Sequence, residues 1–326
     1  MNEQLQSTFK SGDTEEWLDV VWTRPIGYQW ARFFNYFNVH PNTVTVLSMV
    51  IGVAAAYFFT FGSYRMAGTE GLIMNIVGVL LLAWANFYDS ADGQLARMTG
   101  KKTQLGRILD GAAGDVWFFF LYHALFFRFY QYHDAEFAWL GIENNEQNTL
   151  IANCIFYIAI WVSGVGFHGR QCGLSDYYRQ IHLFFLKGKA GSELDSSEQQ
   201  QQLYKETPWK GNLIYKLFLL TYISYTRGQE KQTPHFQQLK QKLKEKYGAT
   251  ENIPQVFRDE FRTLSLPMMK WANILTFNTR AITFYVSCLL DLPWLYLVVE
   301  LTLFTWLYLY MRHTHEGFCK KLNEKL

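Results

Sequence analysis

Four aspartates stand close together where one long apolar run ends and the next begins. Asp89 and Asp92 are three residues apart, so they share one face of a helix. Asp110 and Asp115 lie on or beside the following apolar run. Carboxylates near a membrane boundary are costly unless they are paired or bound to a metal. Oxygen ligands without His or Cys favour Mg²⁺, Mn²⁺ or Ca²⁺ over zinc, and Mg²⁺ commonly joins carboxylates to substrate phosphates.

Three further residues between these aspartates suit a phosphate-bearing substrate. Gly93 and Gly106 leave room for a substrate to approach the backbone closely. The guanidinium of Arg97 can fork onto phosphate oxygens. The segment as a whole therefore indicates a divalent metal site that acts on a phosphate ester.

The spacing of these residues closely resembles the signature of the CDP-alcohol phosphotransferase family. That signature reads D-x-x-D-G-x-x-A-R, eight residues, then G-x-x-x-D-x-x-x-D. The positions that match in type and spacing are Asp89, Asp92, Gly93, Ala96, Arg97, Gly106 and Asp110. The resemblance covers residues 14 to 170 and, more loosely, 270 to 312. Such a long fixed pattern is very improbable by chance.

The last aspartate of the signature is displaced by one residue. The family pattern places it at position 114, but this chain has Gly114 followed by Asp115. In a regular helix, four residues turn a side chain by about 40° and five residues by about 140°, so Asp115 would point away from Asp110. A π-bulge near Gly111 and Gly114 would restore the alignment. We expect such a bulge to bring Asp115 to the metals, the alternative being a site whose base is missing or supplied elsewhere.

The resemblance implies a reaction in which an acceptor hydroxyl attacks the phosphorus of a CDP-linked donor and CMP leaves. It implies two ions, Mg²⁺ or Mn²⁺, and a CDP-linked lipid such as CDP-diacylglycerol as the donor. Homodimer formation is left open. The implied ligands are Asp89, Asp92, Asp110 and Asp115, with Asp115 also the catalytic base. The implied CDP pocket consists of Gly93, Ala96, Arg97 and Gly106.

The acceptor is encoded less clearly. His168, Arg170 and Arg280 fall at predicted cytoplasmic ends of apolar runs. Basic residues there could bind a phosphorylated acceptor, which makes inositol phosphate a candidate. They could equally be the positive anchors that flank membrane spans on the cytoplasmic side.

Six apolar runs approach the length of about 20 residues that a membrane-spanning helix needs. They are residues 43–61, 71–87, 108–127, 150–167, 281–292 and 293–311. The connections after the first, third and fifth runs contain only Arg65 and Arg128 as basic residues. Because basic residues concentrate on the cytoplasmic side, we predict an all-α integral membrane protein with six transmembrane helices, both termini in the cytoplasm and the active site facing it.

The remaining segments complete the predicted organisation. Residues 1–40 form a cytoplasmic or interfacial segment whose aromatic residues indicate an amphipathic helix, broken near Pro25. An ordinary helix that packs on the body of the protein is the alternative. Residues 41–169 are predicted to contain membrane helices 1–4, and residues 271–312 are predicted to contain helices 5–6. Residues 170–270 are predicted to form a cytoplasmic helical insertion between helices 4 and 5, and residues 313–326 a cytoplasmic tail.

Composition excludes several other classes of protein. A formal net charge of +2 argues against a nucleic-acid-binding protein. None of the four cysteines forms a CxxC pair, which argues against a zinc site. A cation transporter would carry acidic residues near the middle of several spans, whereas here they cluster at one end. A catalytically impaired family member that acts as a membrane scaffold is a further alternative, suggested by Gly114.

Overall fold

In the computed structural model, the described residues are 11–188, 191, 192, 194–249 and 252–326. Within these ranges the chain is helical and contains no strand, which confirms the all-α prediction. The first ten residues of the predicted N-terminal segment lie outside the described part. The described residues divide into two compact units: residues 17–169 with 277–303, and residues 11–16 with the described residues of 170–276 and 304–326.

The first unit begins with a π-helical turn, Asp19–Thr23, which leads directly into α1 (Arg24–Tyr36). It continues with α2 (Pro41–Phe58), α3 (Tyr64–Thr99), α4 (Gln104–Leu140) and α5 (Glu146–Trp161). A second π-helical segment, Val162–His168, follows α5. Later in the chain come α11 (Phe277–Leu289), α12 (Pro293–Val299) and a third π-helical segment, Glu300–Phe304.

The second unit contains α6 (Gly169–Lys187), α7 (Ser197–Glu206), α8 (Leu213–Gln232), α9 (Pro234–Tyr247) and α10 (Gln255–Ile274). Its last helix is α13 (Thr305–Lys325), which packs against α9 and α10. The residues that the sequence assigned to a C-terminal tail therefore form the end of a packed helix. Near the start of this unit, Asp13 accepts a hydrogen bond from Arg262 at 2.7 Å, which lowers the pKa of that carboxyl below its usual value.

Four helical stretches are long and apolar enough to cross a membrane: residues 41–58, 64–99, 146–187 and 293–325. The chain is therefore an integral membrane protein. The third predicted run lies in α4, which carries two aspartates in its first half, and the fifth lies in α11, whose 13 residues span only about 20 Å. Six spans consequently stay a prediction.

Helix α1 differs from its predicted form. The helical path continues through Pro25, so the expected break at that residue is wrong. Pro25, which has no backbone N–H to donate, lies where the helix changes from π to α geometry. Ala31 and Phe34 pack with Ala91 and Leu95 of α3, and the amide of Gln94 donates to the Arg24 carbonyl at 3.1 Å. The opposite face of the helix exposes aromatic side chains, among them Phe33 and Tyr36.

Helices α2 and α4 approach each other closely at Gly52. A Cβ atom at this position would lie 2.1 Å from the Trp117 ring, so only glycine fits. The Trp117 indole donates to the Ser48 carbonyl at 3.0 Å and thereby fixes the register of the two helices. This contact supports the first half of α4, where Asp110 lies.

A buried ion pair joins α4 to the α11–α12 turn. Arg128 and Asp291 are both fully buried and form a salt bridge, and Arg128 also donates to the side chain of Asn75 at 2.7 Å. Asp291 accepts further hydrogen bonds from backbone N–H groups at the start of α3. Arg65, in turn, contacts Glu136 at 3.1 Å. The two arginines that the topology argument placed on the outer side are thus paired with acidic residues of the same unit.

Candidate metal centre

Three of the predicted ligands come together in the first unit. Asp89 and Asp92 lie on the last turns of α3, and Asp110 lies near the start of α4. Each offers a carboxylate oxygen, and these oxygens lie within 4.8 Å of one another. The three-residue spacing of the first pair puts both on the face that α4 meets.

A short turn between α3 and α4 makes this meeting possible. Gly100 ends α3 in the left-handed region at φ 69°, a conformation that favours glycine. Thr103 then caps α4, since its hydroxyl accepts a hydrogen bond from the Gly106 backbone N–H at 2.9 Å. The chain reverses within four residues, which brings Asp110 back beside the end of α3.

The electrostatics of this cluster fit a divalent cation. Asp92 is only 3% exposed and is repelled by Asp89 and Asp110. The Thr45 hydroxyl of α2 and the Gly93 backbone N–H donate hydrogen bonds to Asp92, but two neutral donors do not offset two neighbouring negative charges. Asp110 is exposed, so a cation held here could still reach a substrate. Hard oxygen ligands of this kind suit Mg²⁺ or Mn²⁺.

The residues predicted to bind the CDP moiety surround the same turn. A Cβ atom at Gly93 would lie 3.4 Å from a guanidinium nitrogen of Arg97, so the Arg97 head group borders the open space above this glycine. At Gly106 a Cβ atom would lie 2.8 Å from the Asn42 side-chain oxygen. Ala96 is half-buried on the same stretch of α3. The structure therefore places all four predicted residues beside the carboxylate cluster.

Asp115 is not part of the cluster. Residues 111–115, all of which the structure describes, form regular α-helix, and α4 departs from helical geometry only at Tyr132. The π-bulge expected near Gly111 and Gly114 is thus wrong. Neither glycine is held by a close neighbour, because no described atom comes within 4 Å of a Cβ built at either position. Asp115 accordingly turns away from Asp110.

A comparison with known families matches residues 38–164 to the family model described as CDP-alcohol phosphatidyltransferase. This stretch contains the carboxylate cluster, the α3–α4 turn and Asp115. Residues 38–164 are thus similar to the CDP-alcohol phosphatidyltransferase family. Members of this family transfer a phosphate-bearing group from a CDP-alcohol with release of CMP, use divalent metal ions and act in phospholipid synthesis. Neither a curated protein nor a solved structure matches the chain.

Within the CDP-alcohol phosphatidyltransferase region, Asp115 opens onto a cavity of about 230 Å³. Aromatic side chains from α4 and α5 form a large part of its wall. Its lining includes Phe118, Tyr122, His123, Trp161, Gly164 and His168. Asp115 and His168 both line this cavity. The cavity therefore combines a largely apolar wall with one carboxylate, that of Asp115, and two imidazoles, those of His123 and His168.

A buried polar network lies behind His168. Glu300 accepts a hydrogen bond from Arg280 at 2.7 Å and one from the Tyr122 hydroxyl, and its carboxylate lies 3.3 Å from the His168 ring. Arg280 and Glu300 are both fully buried. His168 ends one π-helical segment and Glu300 begins another, so both lie where helical geometry departs from the regular α form.

This network changes how the predicted acceptor residues are interpreted. His168 and Arg280 do come together, but the charge of Arg280 is compensated by Glu300. Arg170 is exposed and belongs to the other unit. Sequence reasoning left Glu300 without a role. Its position in an apolar run was the only available signal, because its partners are distant in sequence.

Proposed function

We propose that this chain is a divalent-metal-dependent phosphotransferase that joins the phosphate-bearing group of a CDP-linked lipid to an alcohol and releases CMP. The observation that carries the proposal is the cluster of Asp89, Asp92 and Asp110. Three carboxylates within 4.8 Å of one another, one of them buried, form an anionic site that a cation would stabilise. We propose CDP-diacylglycerol or a similar CDP-lipid as the donor.

In this proposal the three aspartates hold the metal, with two ions expected. Bound there, the ions would neutralise the diphosphate of the donor and the charge that develops on departing CMP. Arg97 would orient the diphosphate by forked hydrogen bonds. Gly93, Ala96 and Gly106 would let the cytidine diphosphate approach the backbone.

We place the acceptor alcohol in the cavity beside Asp115. The acceptor oxygen attacks the donor phosphorus, the bond from phosphorus to the CMP oxygen breaks, and the hydroxyl proton passes to the Asp115 carboxylate. The regular helix argues against the predicted role of Asp115 as a metal ligand, and the cavity that its carboxylate lines is the observation behind the proposed proton-accepting role. His168, which is held by the buried carboxylate of Glu300, would orient Asp115.

The network also bears on the choice of acceptor. Inositol phosphate was predicted from three basic residues, but the charge of Arg280 is already compensated and the cavity wall is aromatic. These features favour an uncharged hydroxyl compound. Release of CMP from CDP-diacylglycerol should be measured with inositol phosphate, an uncharged polyol and a lipid alcohol as acceptors. Absence of acceptor-dependent CMP release in the whole panel would favour the scaffold alternative.

The proposed roles of positions 114 and 115 can be separated by two substitutions. Asp115→Asn should lower the turnover number by about a hundredfold, since it removes a general base. Its Mg²⁺ requirement should stay unchanged. Gly114→Asp should fit the helix, keep turnover and lower the Mg²⁺ concentration needed for half-maximal rate, because it adds a carboxylate on the Asp110 face. Titration of CMP release against Mg²⁺ measures both effects. An Asp115→Asn variant with a weakened Mg²⁺ response would make Asp115 a ligand after all.

We further propose six spans with the metal centre on the cytoplasmic side, an interfacial N-terminal segment and a cytoplasmic insertion over residues 170–270. The membrane-facing part of the insertion would be α8, which exposes Leu213, Ile214, Leu217 and Leu220. In a background without native cysteines, Glu143→Cys should react with an impermeant maleimide from outside intact cells. Gln201→Cys should react only after permeabilisation. The reverse labelling pattern would overturn both the orientation and the number of spans.

A further inference from the structure

A second cluster of metal-binding side chains lies in the second unit, on helix α13. His315 and Cys319 are four residues apart and therefore share one face of the helix, and Glu316 follows His315 directly. All three are buried. One ligand atom from each lies within 4.8 Å of the other two. Neither the phosphotransferase reaction nor the matched family region involves these residues.

Two of the three separations within this cluster are close to those of a single zinc coordination sphere. The Cys319 sulfur and the nearer Glu316 oxygen each lie 3.7 Å from Nδ1 of His315. Tetrahedral Zn²⁺ with ordinary bond lengths to nitrogen, sulfur and oxygen requires ligand separations of about 3.4–3.6 Å. The two separations from Nδ1 of His315 therefore exceed the tetrahedral values by only a few tenths of an ångström, and the Cys319 sulfur lies within 4.8 Å of the Glu316 oxygen.

The charge and hydrogen bonding of Glu316 also indicate a bound cation. One carboxylate oxygen, Oε2, accepts a hydrogen bond from the His235 backbone N–H at 2.6 Å. The other, Oε1, is buried and has no hydrogen-bond partner among the described residues. A buried carboxylate oxygen without a donor is costly unless a proton or a cation lies beside it. Zn²⁺ with one thiolate and one carboxylate is electrically neutral, which suits a buried position.

We propose that His315, Glu316 and Cys319 form a zinc site, with the sulfur of Cys319 as thiolate. Imidazole with thiolate selects a borderline or soft metal such as zinc over Mg²⁺. The backbone contact from His235 orients Glu316 as a supporting hydrogen bond does in known metal sites. The Tyr178 ring stacks on His315 at 4.1 Å, and its buried hydroxyl also has no hydrogen-bond partner in the described part of the chain. That hydroxyl is the candidate for the fourth contact, directly or through water.

This proposal disagrees with the prediction from cysteine spacing, which argued against a zinc site. That prediction considered pairs of cysteines and did not consider a histidine and a cysteine four residues apart. The pair of His315 and Cys319 indicates a metal site only once both side chains are known to be buried on α13.

Metal content of the purified full-length protein tests the proposal. After a brief EDTA wash and repletion with Zn²⁺, the wild type should retain one zinc per chain through gel filtration. Cys319→Ser, which is nearly isosteric, should lose that zinc or bind it at least tenfold more weakly. His313→Ala, an exposed position on the same helix, should retain it. Equal zinc retention in wild type and Cys319→Ser would overturn the assignment.

Cobalt substitution supplies a second readout that does not depend on the folding of a variant. Co²⁺ bound to a thiolate gives a near-ultraviolet charge-transfer band, which a site of aspartates alone cannot produce. The band should appear in wild type and persist in a Cys154→Ser, Cys172→Ser double variant, which removes the two cysteines that are not buried. A wild-type protein without the band would refute the site.

Discussion

Asp92→Asn is expected to lower the rate of CMP release by at least about a thousandfold. The substitution removes the most buried member of the carboxylate cluster, and metal stabilisation of transition-state charge contributes several kcal/mol. Each 1.36 kcal/mol of lost stabilisation lowers the rate tenfold. The loss should persist at saturating Mg²⁺, because the remaining two carboxylates cannot restore the geometry of the ions.

Two matched variants show whether that loss is specific. Glu70→Gln removes an exposed carboxylate from the other end of the same helix and should leave CMP release unchanged. Thr45→Val removes the hydrogen bond to Asp92 and should weaken the response to Mg²⁺, whereas Thr45→Ser should preserve it. An Asp92→Asn enzyme with near-normal turnover would remove the cluster from the reaction.

Arg128→Met is expected to destabilise the protein by about 3–5 kcal/mol. Removing one partner of a buried ion pair leaves the other charge buried and uncompensated, here that of Asp291. Methionine retains most of the buried apolar volume, so loss of charge dominates over loss of packing. The midpoint of denaturant-induced unfolding in detergent measures the effect.

The control for this prediction is Arg32→Met, which replaces an exposed arginine by the same residue. Its effect should stay within about 0.5 kcal/mol. A second substitution, Asp291→Asn, should recover part of the stability of Arg128→Met, because asparagine is neutral and also tolerates the positive φ of 58° at this position. Equal midpoints for Arg128→Met and Arg32→Met would show that the ion pair contributes nothing.

The carboxylate cluster could be predicted from the sequence because its geometry is local. Asp89 and Asp92 are joined to Asp110 by two helix ends and one short turn, and Gly100 and Thr103 are residue types that typically end and begin helices. Because residues three or four apart share one face of a helix, the spacing then determines which side chains meet. The helical class followed from the apolar runs for the same reason.

The network around Glu300 could not be predicted in that way. It joins residues that are far apart in the chain, and two of them lie in π-helical segments whose sequences show no marker of that geometry. A single sequence carries no information on such distant pairs. For the displaced aspartate, Asp115, the sequence predicted a feature that the structure does not have. The π-bulge was inferred from a family pattern, whereas the backbone at Gly114 follows ordinary helical geometry.

The number of membrane spans could not be determined from the sequence, for a different reason. Helix α4 is long enough to cross a bilayer, but its aspartates lower its apolar character. The run at residues 281–292 extends three residues beyond its helix, which has 13 residues and ends at Leu289. Hydropathy alone cannot distinguish a span that carries catalytic residues from a helix buried in protein.

The most direct test of the central claim is metal-dependent release of CMP by the purified protein in lipid. With CDP-diacylglycerol and a suitable alcohol, CMP should form in Mg²⁺, stop when EDTA exceeds the metal, and resume when Mg²⁺ is restored. Asp92→Asn should give no CMP above background under the same conditions. Undiminished CMP release in excess EDTA, or equal release by wild type and Asp92→Asn, would contradict the account.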